Sequence, residues 1–120
     1  MSIGAYYKSA DWKTEKHVPV IDCPDTFAPD TFTDVTVTIG KEIPHPNTVE
    51  HHIRWVNLFF ISDKGVATDL ARVEFNAHGE GPGFTASKAT VAIKLTGPGT
   101  LVATSYCNIH GLWESSKTIS

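Results

Sequence analysis

The feature that most limits the fold of this chain is a series of short apolar segments, each closed by glycine or proline. Residues 33–39 alternate strictly, so that Val35, Val37 and Ile39 share one face and polar side chains share the other. A period of two is that of a half-buried β-strand. Residues 52–61 are apolar on both faces, which predicts a strand in the middle of a sheet.

The same pattern predicts further strands and almost no helix. Apolar segments between turn signals place these strands at 17–21, 71–77, 90–96, 100–106 and 117–120. The one helical candidate is a single turn after Pro46, where Asn47 or Thr48 is available as an N-cap. Six to seven short strands with turns at regular intervals predict an all-β fold, either an antiparallel β-sandwich or a barrel.

The size and charge of the chain narrow its roles. A chain of 120 residues, 41% of them hydrophobic, is expected to form one domain over 1–120, with residues 1–16 as an N-terminal arm. Ten basic against 13 acidic residues, with no long basic run, argue against a nucleic-acid partner. No apolar run is long enough to cross a bilayer, and the polar start lacks the apolar core of a secretory signal. We therefore expect a cytoplasmic protein that does not bind membranes.

A thiol and an imidazole lie close together near the end of the chain. Cys107 precedes His110 by three positions in SYCNIHGLWE, residues 105–114. This pair suits iron, copper or zinc rather than magnesium or calcium. The alternative for Cys107 is a buried free thiol, which is common in proteins. Cys23 has no histidine beside it and is interpreted as a bystander, although a disulfide between the two cysteines is formally allowed.

Four of the six histidines lie at predicted strand ends or in loops, where sites on a rigid sandwich are usually built. They are His17, His45, His51 and His110. Any one of them alone would be interpreted as a solvated surface residue, but four beside a cysteine favour a ligand cluster. His45 and His51 are six residues apart and do not share a helix face, so the prolines around His45 must form a turn. We expect His52 to point away from its neighbour and His78 to be structural.

Four motifs resemble those of the superoxide reductases of the neelaredoxin type. They are EKHVPVI (15–21), GKEIPHPNTVEHHI (40–53), EFNAHGE (74–80) and SYCNIHGLWE (105–114), and the match runs in order from about residue 11 to 114. The resemblance implies an immunoglobulin-like antiparallel β-sandwich of about seven strands. The longer relatives, the desulfoferrodoxins, carry an additional four-cysteine iron centre, which two cysteines cannot form.

The resemblance also implies a site and a reaction. It makes His17, His45, His51 and His110 the equatorial ligands of one mononuclear iron. Cys107 becomes the axial thiolate, and the opposite face stays open for superoxide. Glu15 would bind that open position in the ferric state, and Lys16 would attract and protonate the substrate. The plainer alternatives are a surface carboxylate for Glu15 and a solvated lysine for Lys16.

Reduction of superoxide to hydrogen peroxide consumes one electron and two protons. The chain contains no nucleotide-binding fingerprint and no second metal motif, so an external electron donor is expected. The resemblance implies rubredoxin as that donor and a homotetramer as the assembly. We also expect the backbone amides of Asn108 and Ile109 to donate hydrogen bonds to the Cys107 sulfur and tune its basicity.

Three other readings fit parts of the pattern. A blue-copper electron-transfer site would use His45, Cys107 and His110, but it usually adds an axial methionine, and the only methionine is Met1. A structural zinc site is closed and four-coordinate, which leaves one donor too many. A metal-free adhesion domain would leave the loop histidines unexplained.

Overall fold

Seven β-strands dominate the computed structural model, which describes residues 1–120. In chain order they are β1 (Pro19–Asp22), β2 (Thr33–Ile39), β3 (Ile53–Ser62), β4 (Ala67–Glu74), β5 (Lys88–Ile93), β6 (Gly99–Cys107) and β7 (Gly111–Ile119). The only helical segment is one 3-10 turn in the arm, Ile3–Tyr6. No helix has the length and apolar character needed to span a membrane.

The strands form two antiparallel sheets, one with the order β1-β2-β5 and one with the order β4-β3-β6-β7. This is the arrangement of an immunoglobulin-like sandwich in which the fourth strand is added to the edge of the sheet that holds the last two strands. The prediction of an all-β, seven-stranded sandwich is therefore confirmed. The core between the sheets is built from inward-facing side chains of both, including Val35, Leu58 and Leu101.

Alternation along the strands decides which side chains form this core. In β2, Val35, Val37 and Ile39 are buried, as their shared face predicts. In β3, one apolar face is buried between the sheets, whereas Trp55 and Phe59 on the other face are only half-buried. The two apolar faces of β3 therefore have different surroundings, and the second one covers the outside of the four-stranded sheet.

Most predicted strands differ by one to three residues at their ends, and two differ more. β4 begins at Ala67 and not at residue 71, because a tight turn closed by Gly65 (φ 79°) starts the hairpin immediately after β3. β7 spans nine residues rather than 117–120, and it pairs with the whole of β6 from Cys107↔Gly111 to Gly99↔Ile119. Most of β7 was not predicted because its composition is polar, which is possible because the strand lies at the edge of its sheet.

The predicted helical turn after Pro46 is wrong. The loop between β2 and β3 is irregular, and Thr48 bonds His51 instead of capping a helix. Gly40 begins this loop with φ 82°, and a Cβ there would lie 2.4 Å from the backbone nitrogen of His45. Only glycine therefore allows the loop to fold back against the end of β2.

The N-terminal arm is tied to the edge of the four-stranded sheet. The Lys8 amide donates to the carbonyl of Leu112 (3.0 Å), and the Glu114 amide donates to the carbonyl of Lys8 (2.9 Å). Further along the arm, Trp12 has the ammonium groups of Lys13 and Lys41 over its ring. The arm thus runs beside β7 before it reaches the end of the sandwich where His17 lies.

Candidate metal centre

Three separate chain segments meet at one end of the sandwich and bring the predicted ligands together. His17 lies just before β1, and both His45 and His51 lie in the β2–β3 loop. Cys107 is the last residue of β6. The ligand atoms of these four residues all lie within 4.8 Å of one another. Because each segment leaves the end of a paired strand, the two sheets hold the four groups in place.

His110, in the turn between β6 and β7, completes a four-sided arrangement of imidazoles. The ring centroids of His17 and His45 are 4.8 Å apart, and those of His45 and His51 are 4.7 Å apart. His110 closes the figure at 5.0 Å from His51 and 4.8 Å from His17. The diagonal between His17 and His51 is longer, at 6.3 Å. The four rings therefore surround a common point, with His17 opposite His51.

The nitrogen atoms have the spacing of neighbouring ligands on one ion. His110 Nδ1 lies 3.1 Å from His17 Nε2 and 3.2 Å from His51 Nε2. Two nitrogens at right angles, each about 2.1 Å from a metal, would be about 3.0 Å apart. Hydrogen bonding does not explain both contacts, because His110 Nδ1 carries at most one proton. A shared cation explains both.

His45 offers a bare nitrogen to the same point. Its Nδ1 lies 2.7 Å from the carbonyl oxygen of Pro46, which only accepts, so the proton resides on Nδ1 and Nε2 keeps its lone pair. Nε2 is buried and has no hydrogen-bond partner. A buried nitrogen without a partner is costly unless something else occupies its lone pair. The donor set thus fits a metal ion.

His17 is oriented by a carboxylate. Glu15 Oε1 accepts from His17 Nδ1 at 2.6 Å and from the His17 backbone amide at 3.0 Å. This contact fixes the His17 tautomer so that Nε2 faces the cluster, as in other carboxylate–histidine–metal triads. Burial raises the pKa of Glu15, but the hydrogen bonds from His17 outweigh it and leave the pKa lowered.

Burial favours the neutral form of His17, His45 and His51. Burial lowers the pKa of His45 to about 4. Burial also lowers the pKa values of His17 and His51, and the charge of Lys16 lowers them further. Neutral imidazole is the form that binds metals. The pocket is therefore prepared for a cation rather than for protons.

Cys107 supplies the single sulfur donor. The residue is fully buried, and its Sγ lies 3.7 Å from His110 Nδ1. The His110 backbone amide donates to Sγ at 3.4 Å. The Asn108 amide, one of the two expected donors, instead donates to the carbonyl of His52, so the prediction is wrong for Asn108. The amide of Ile109, the other expected donor, makes no hydrogen bond to the sulfur either. The turn after β6 directs the Asn108 amide towards the His51 loop, which leaves the His110 amide to reach the sulfur.

Glu15 and Lys16 lie at the edge of the cluster. The Glu15 carboxylate contacts Nδ1 of His17, on the side of the ring away from Nε2 and the other ligand atoms. Its binding to ferric iron stays a prediction. Lys16 is half-buried, and its charge acts on His17, His45 and His51.

Trp113 is a residue of the site that sequence reasoning missed. Its buried ring stacks on His17, with centroids 4.9 Å apart and planes within 12°. The ammonium of Lys8, from the arm, lies 5.6 Å from the Trp113 ring centroid and 3.5 Å from the carbonyl oxygen of His110. Trp113 stands six positions after Cys107 in SYCNIHGLWE, so the motif contained the signal, but only the register of β7 brings it to His17.

The remaining histidines and Cys23 lie outside the cluster. His52 and His78 are both buried and stack on each other, with centroids 3.6 Å apart. His52 bonds the carbonyl of Thr48 and His78 bonds the side chain of Asn47. Both cysteines are free thiols, so no disulfide joins Cys23 to Cys107.

An immunoglobulin-like sandwich with four imidazoles and a thiolate converging at one end defines a mononuclear metal protein with a mixed nitrogen–sulfur donor set. Residues 9–116 match the family model described as Desulfoferrodoxin. The chain belongs to the desulfoferrodoxin family, and the metal of its centre is iron.

Individual relatives resemble the chain over nearly its whole length. Neelaredoxin of Megalodesulfovibrio gigas is 52% identical over an alignment of 123 positions. The alignment covers 95% of this chain and 94% of that protein. The crystal structure of a protein from Thermotoga maritima, described as a putative superoxide reductase, has a TM-score of 0.96 at 48% identity. The match covers 100% of this chain and 97% of that one. The reduced superoxide reductase (neelaredoxin) of Archaeoglobus fulgidus has a TM-score of 0.87 at 44% identity, with 95% and 98% covered.

Proposed function

We propose that this protein is a superoxide reductase, which converts superoxide to hydrogen peroxide at one iron per chain. His17, His45, His51 and His110 would hold the iron through imidazole nitrogens, and Cys107 would hold it through its thiolate. The observation that carries the proposal is the four-sided arrangement of imidazoles beside a buried thiol. Relatives that share the fold, such as the enzyme of Pyrococcus furiosus at 47% identity, bear the name superoxide reductase.

The residues around the iron suit an anionic substrate. When bound, ferrous iron supplies the electron for the reduction. Cys107 is fully buried whereas His110 is exposed. This difference supports access of substrate from the side of the four imidazoles that lies away from the thiolate. Lys16 places a positive charge near three of the imidazoles and attracts superoxide to this side. Lys16 also orders water from which the product takes its two protons.

Glu15 has two roles in this proposal. In the arrangement described, it holds the His17 ring through Nδ1. Its carboxylate would also be available as a ligand of the oxidised iron. The short chain between Glu15 and His17 allows both placements, since the two residues are only two positions apart.

The five-donor set separates this proposal from its rivals. A structural zinc site is tetrahedral and closed. A blue-copper site needs two histidines, a cysteine and a weak axial ligand, and neither His17 nor His51 has a place in it. Four imidazoles around one point with a single thiolate match neither.

Electrons come from outside the chain in this proposal. A rubredoxin-like carrier is the proposed donor, because the centre lies at one end of the sandwich with His110 exposed. A short encounter between proteins is sufficient for such transfer.

We also propose a homotetramer, supported by the apolar outer face of β3, where Ile61 is 38% exposed. We also propose a cytoplasmic location, which is supported by the free thiol of Cys23, since a reducing compartment maintains such thiols.

The test is a metal analysis and a visible spectrum of protein purified without oxygen, before and after mild oxidation. We expect about one iron per chain. Oxidation should create a thiolate-to-iron charge-transfer band. Superoxide should oxidise the ferrous protein in a fast second-order reaction. In Cys107→Ser the band should be lost, while Cys23→Ser, which changes the other thiol, should retain it. Zinc or copper in place of iron, or a band that survives Cys107→Ser, would refute the proposal.

A further inference from the structure

The loop that carries His51 has no regular secondary structure to hold it. Between Gly40 and His52 the chain forms only bends, so the position of His51 depends on individual hydrogen bonds. Two of these come from Thr48, whose hydroxyl accepts from the His51 amide at 3.0 Å and whose amide donates to the His51 carbonyl at 2.9 Å. They close the loop on itself but do not attach it to the rest of the centre.

Asn47 attaches the start of the loop to Thr85 and His78, whereas Asn108 attaches the residues around His51 to the turn between Cys107 and His110. Its side-chain oxygen accepts from the His52 amide at 2.8 Å, and its side-chain nitrogen donates to the Glu50 carbonyl at 2.9 Å. Its backbone amide donates to the His52 carbonyl at 3.2 Å. Asn108 therefore forms hydrogen bonds to Glu50 and His52, the residues on both sides of His51, and it directly follows Cys107 in the chain.

We propose that Asn108 is a positioning residue for the metal centre, which sets the His51 imidazole at the correct distance from Cys107 and His110. Asparagine suits this role because its short side chain carries a donor and an acceptor on one planar group. The inference rests on the proposed ligand set and not on the reaction catalysed. It assigns Asn108 no contact with substrate or iron.

The arrangement has a measurable consequence for the metal. Groups that orient metal ligands typically change metal affinity by about 10–100-fold when removed. In Asn108→Leu, which keeps the volume but loses both side-chain bonds, we expect iron to dissociate about 10–100-fold more readily. We expect the charge-transfer band of the oxidised protein to shift as well, because His51 moves relative to Cys107. Asn108→Ala should give the same result and excludes an effect of the leucine itself.

Asn57 provides the matched control. It is a buried asparagine whose side-chain nitrogen donates to Asp69 at 2.8 Å, in the middle of β3 and outside the loops that carry ligands. Asn57→Leu removes an amide hydrogen bond of the same kind. We expect it to lower the thermal stability of the apoprotein but to leave the band and the iron affinity within twofold of the wild type.

The experiment is competition for ferrous iron against a chelator, together with the oxidised spectrum and the apoprotein unfolding curve of each variant. Wild-type iron affinity and an unshifted band in Asn108→Leu would overturn the inference. Equal iron loss in Asn57→Leu would also overturn it, because the effect would then be one of general stability. A wild-type protein that binds no iron would refute the proposed function itself, which is a different result from either.

Discussion

Burial of a neutral His45 makes the stability of the apoprotein depend on pH in a defined window. The pKa of His45 is about 4 in the folded chain against 6.5 for an ordinary histidine. The unfolded chain therefore binds more protons than the folded one between these values, and stability falls as the pH falls from about 6.5 to about 4. At pH 7.5 and above, the stability is nearly unaffected by this group, since His45 is then neutral in both the folded and the unfolded chain.

The size of the effect follows from the two pKa values. A shift of one pKa unit corresponds to about 1.4 kcal/mol, so lowering the pH from 7.5 to 5 should remove roughly 2 kcal/mol from the free energy of unfolding. The total at pH 4 is at most about 3.4 kcal/mol. Other histidines with lowered pKa values, such as His17 and His51, add to the loss, so the wild-type curve alone does not isolate His45.

A His45→Gln variant isolates it. Glutamine is polar and does not titrate, so the variant should lose roughly 2 kcal/mol less than the wild type over the same pH interval. Urea unfolding of both apoproteins at pH 7.5 and pH 5, followed by tryptophan fluorescence, gives the difference directly. If the two proteins lost equal stability, His45 would not be buried as a neutral group and the reasoning would fail.

Three further predictions concern residues around the centre. Gly40→Ala should cost about 1–3 kcal/mol in urea unfolding, because φ is 82° and the new Cβ would meet His45; Gly81→Ala, which has open space around it, should cost less than 1 kcal/mol. Lys16→Ala should slow the reaction with superoxide and flatten its dependence on ionic strength, measured by pulse radiolysis, and an unchanged rate at all salt concentrations would exclude steering. Glu15→Ala should keep turnover but change the ferric spectrum and loosen His17, seen as faster iron loss to a chelator; an identical spectrum would remove Glu15 from the ferric site.

The sequence predicted strands best where apolar alternation was bounded by turn residues. The bounds of β2 were predicted to the residue, because Gly40 ends a strict alternation. β7 was predicted far too short because its outer residues, such as Glu114 and Ser116, carry no apolar signal. An edge strand with one polar face is specified by its partner, here β6, and not by its own composition.

The centre was predicted to different depths at different residues. The pairing of Cys107 with His110 followed from their spacing, and the loop positions of His17, His45 and His51 suggested that they join the same cluster. The role of each ligand required the resemblance to a family. The roles of Asn108 and Trp113 depend on register and on loop geometry. Strand register and loop geometry leave no periodic or compositional pattern in the sequence. The sequence alone therefore does not reveal these two roles.

The buried nitrogen of His45 links the fold to the metal. Without a cation, the sandwich encloses an unpaired Nε2, and such a group typically costs about 1–3 kcal/mol. The sheets tolerate this cost because their core, rather than the loops, stabilises the chain. A metal that binds only the folded chain removes the cost and adds its own binding energy to stability. The strand ends that bring the four imidazoles and the thiol together therefore also make the site selective for an ion that accepts four nitrogens and one sulfur.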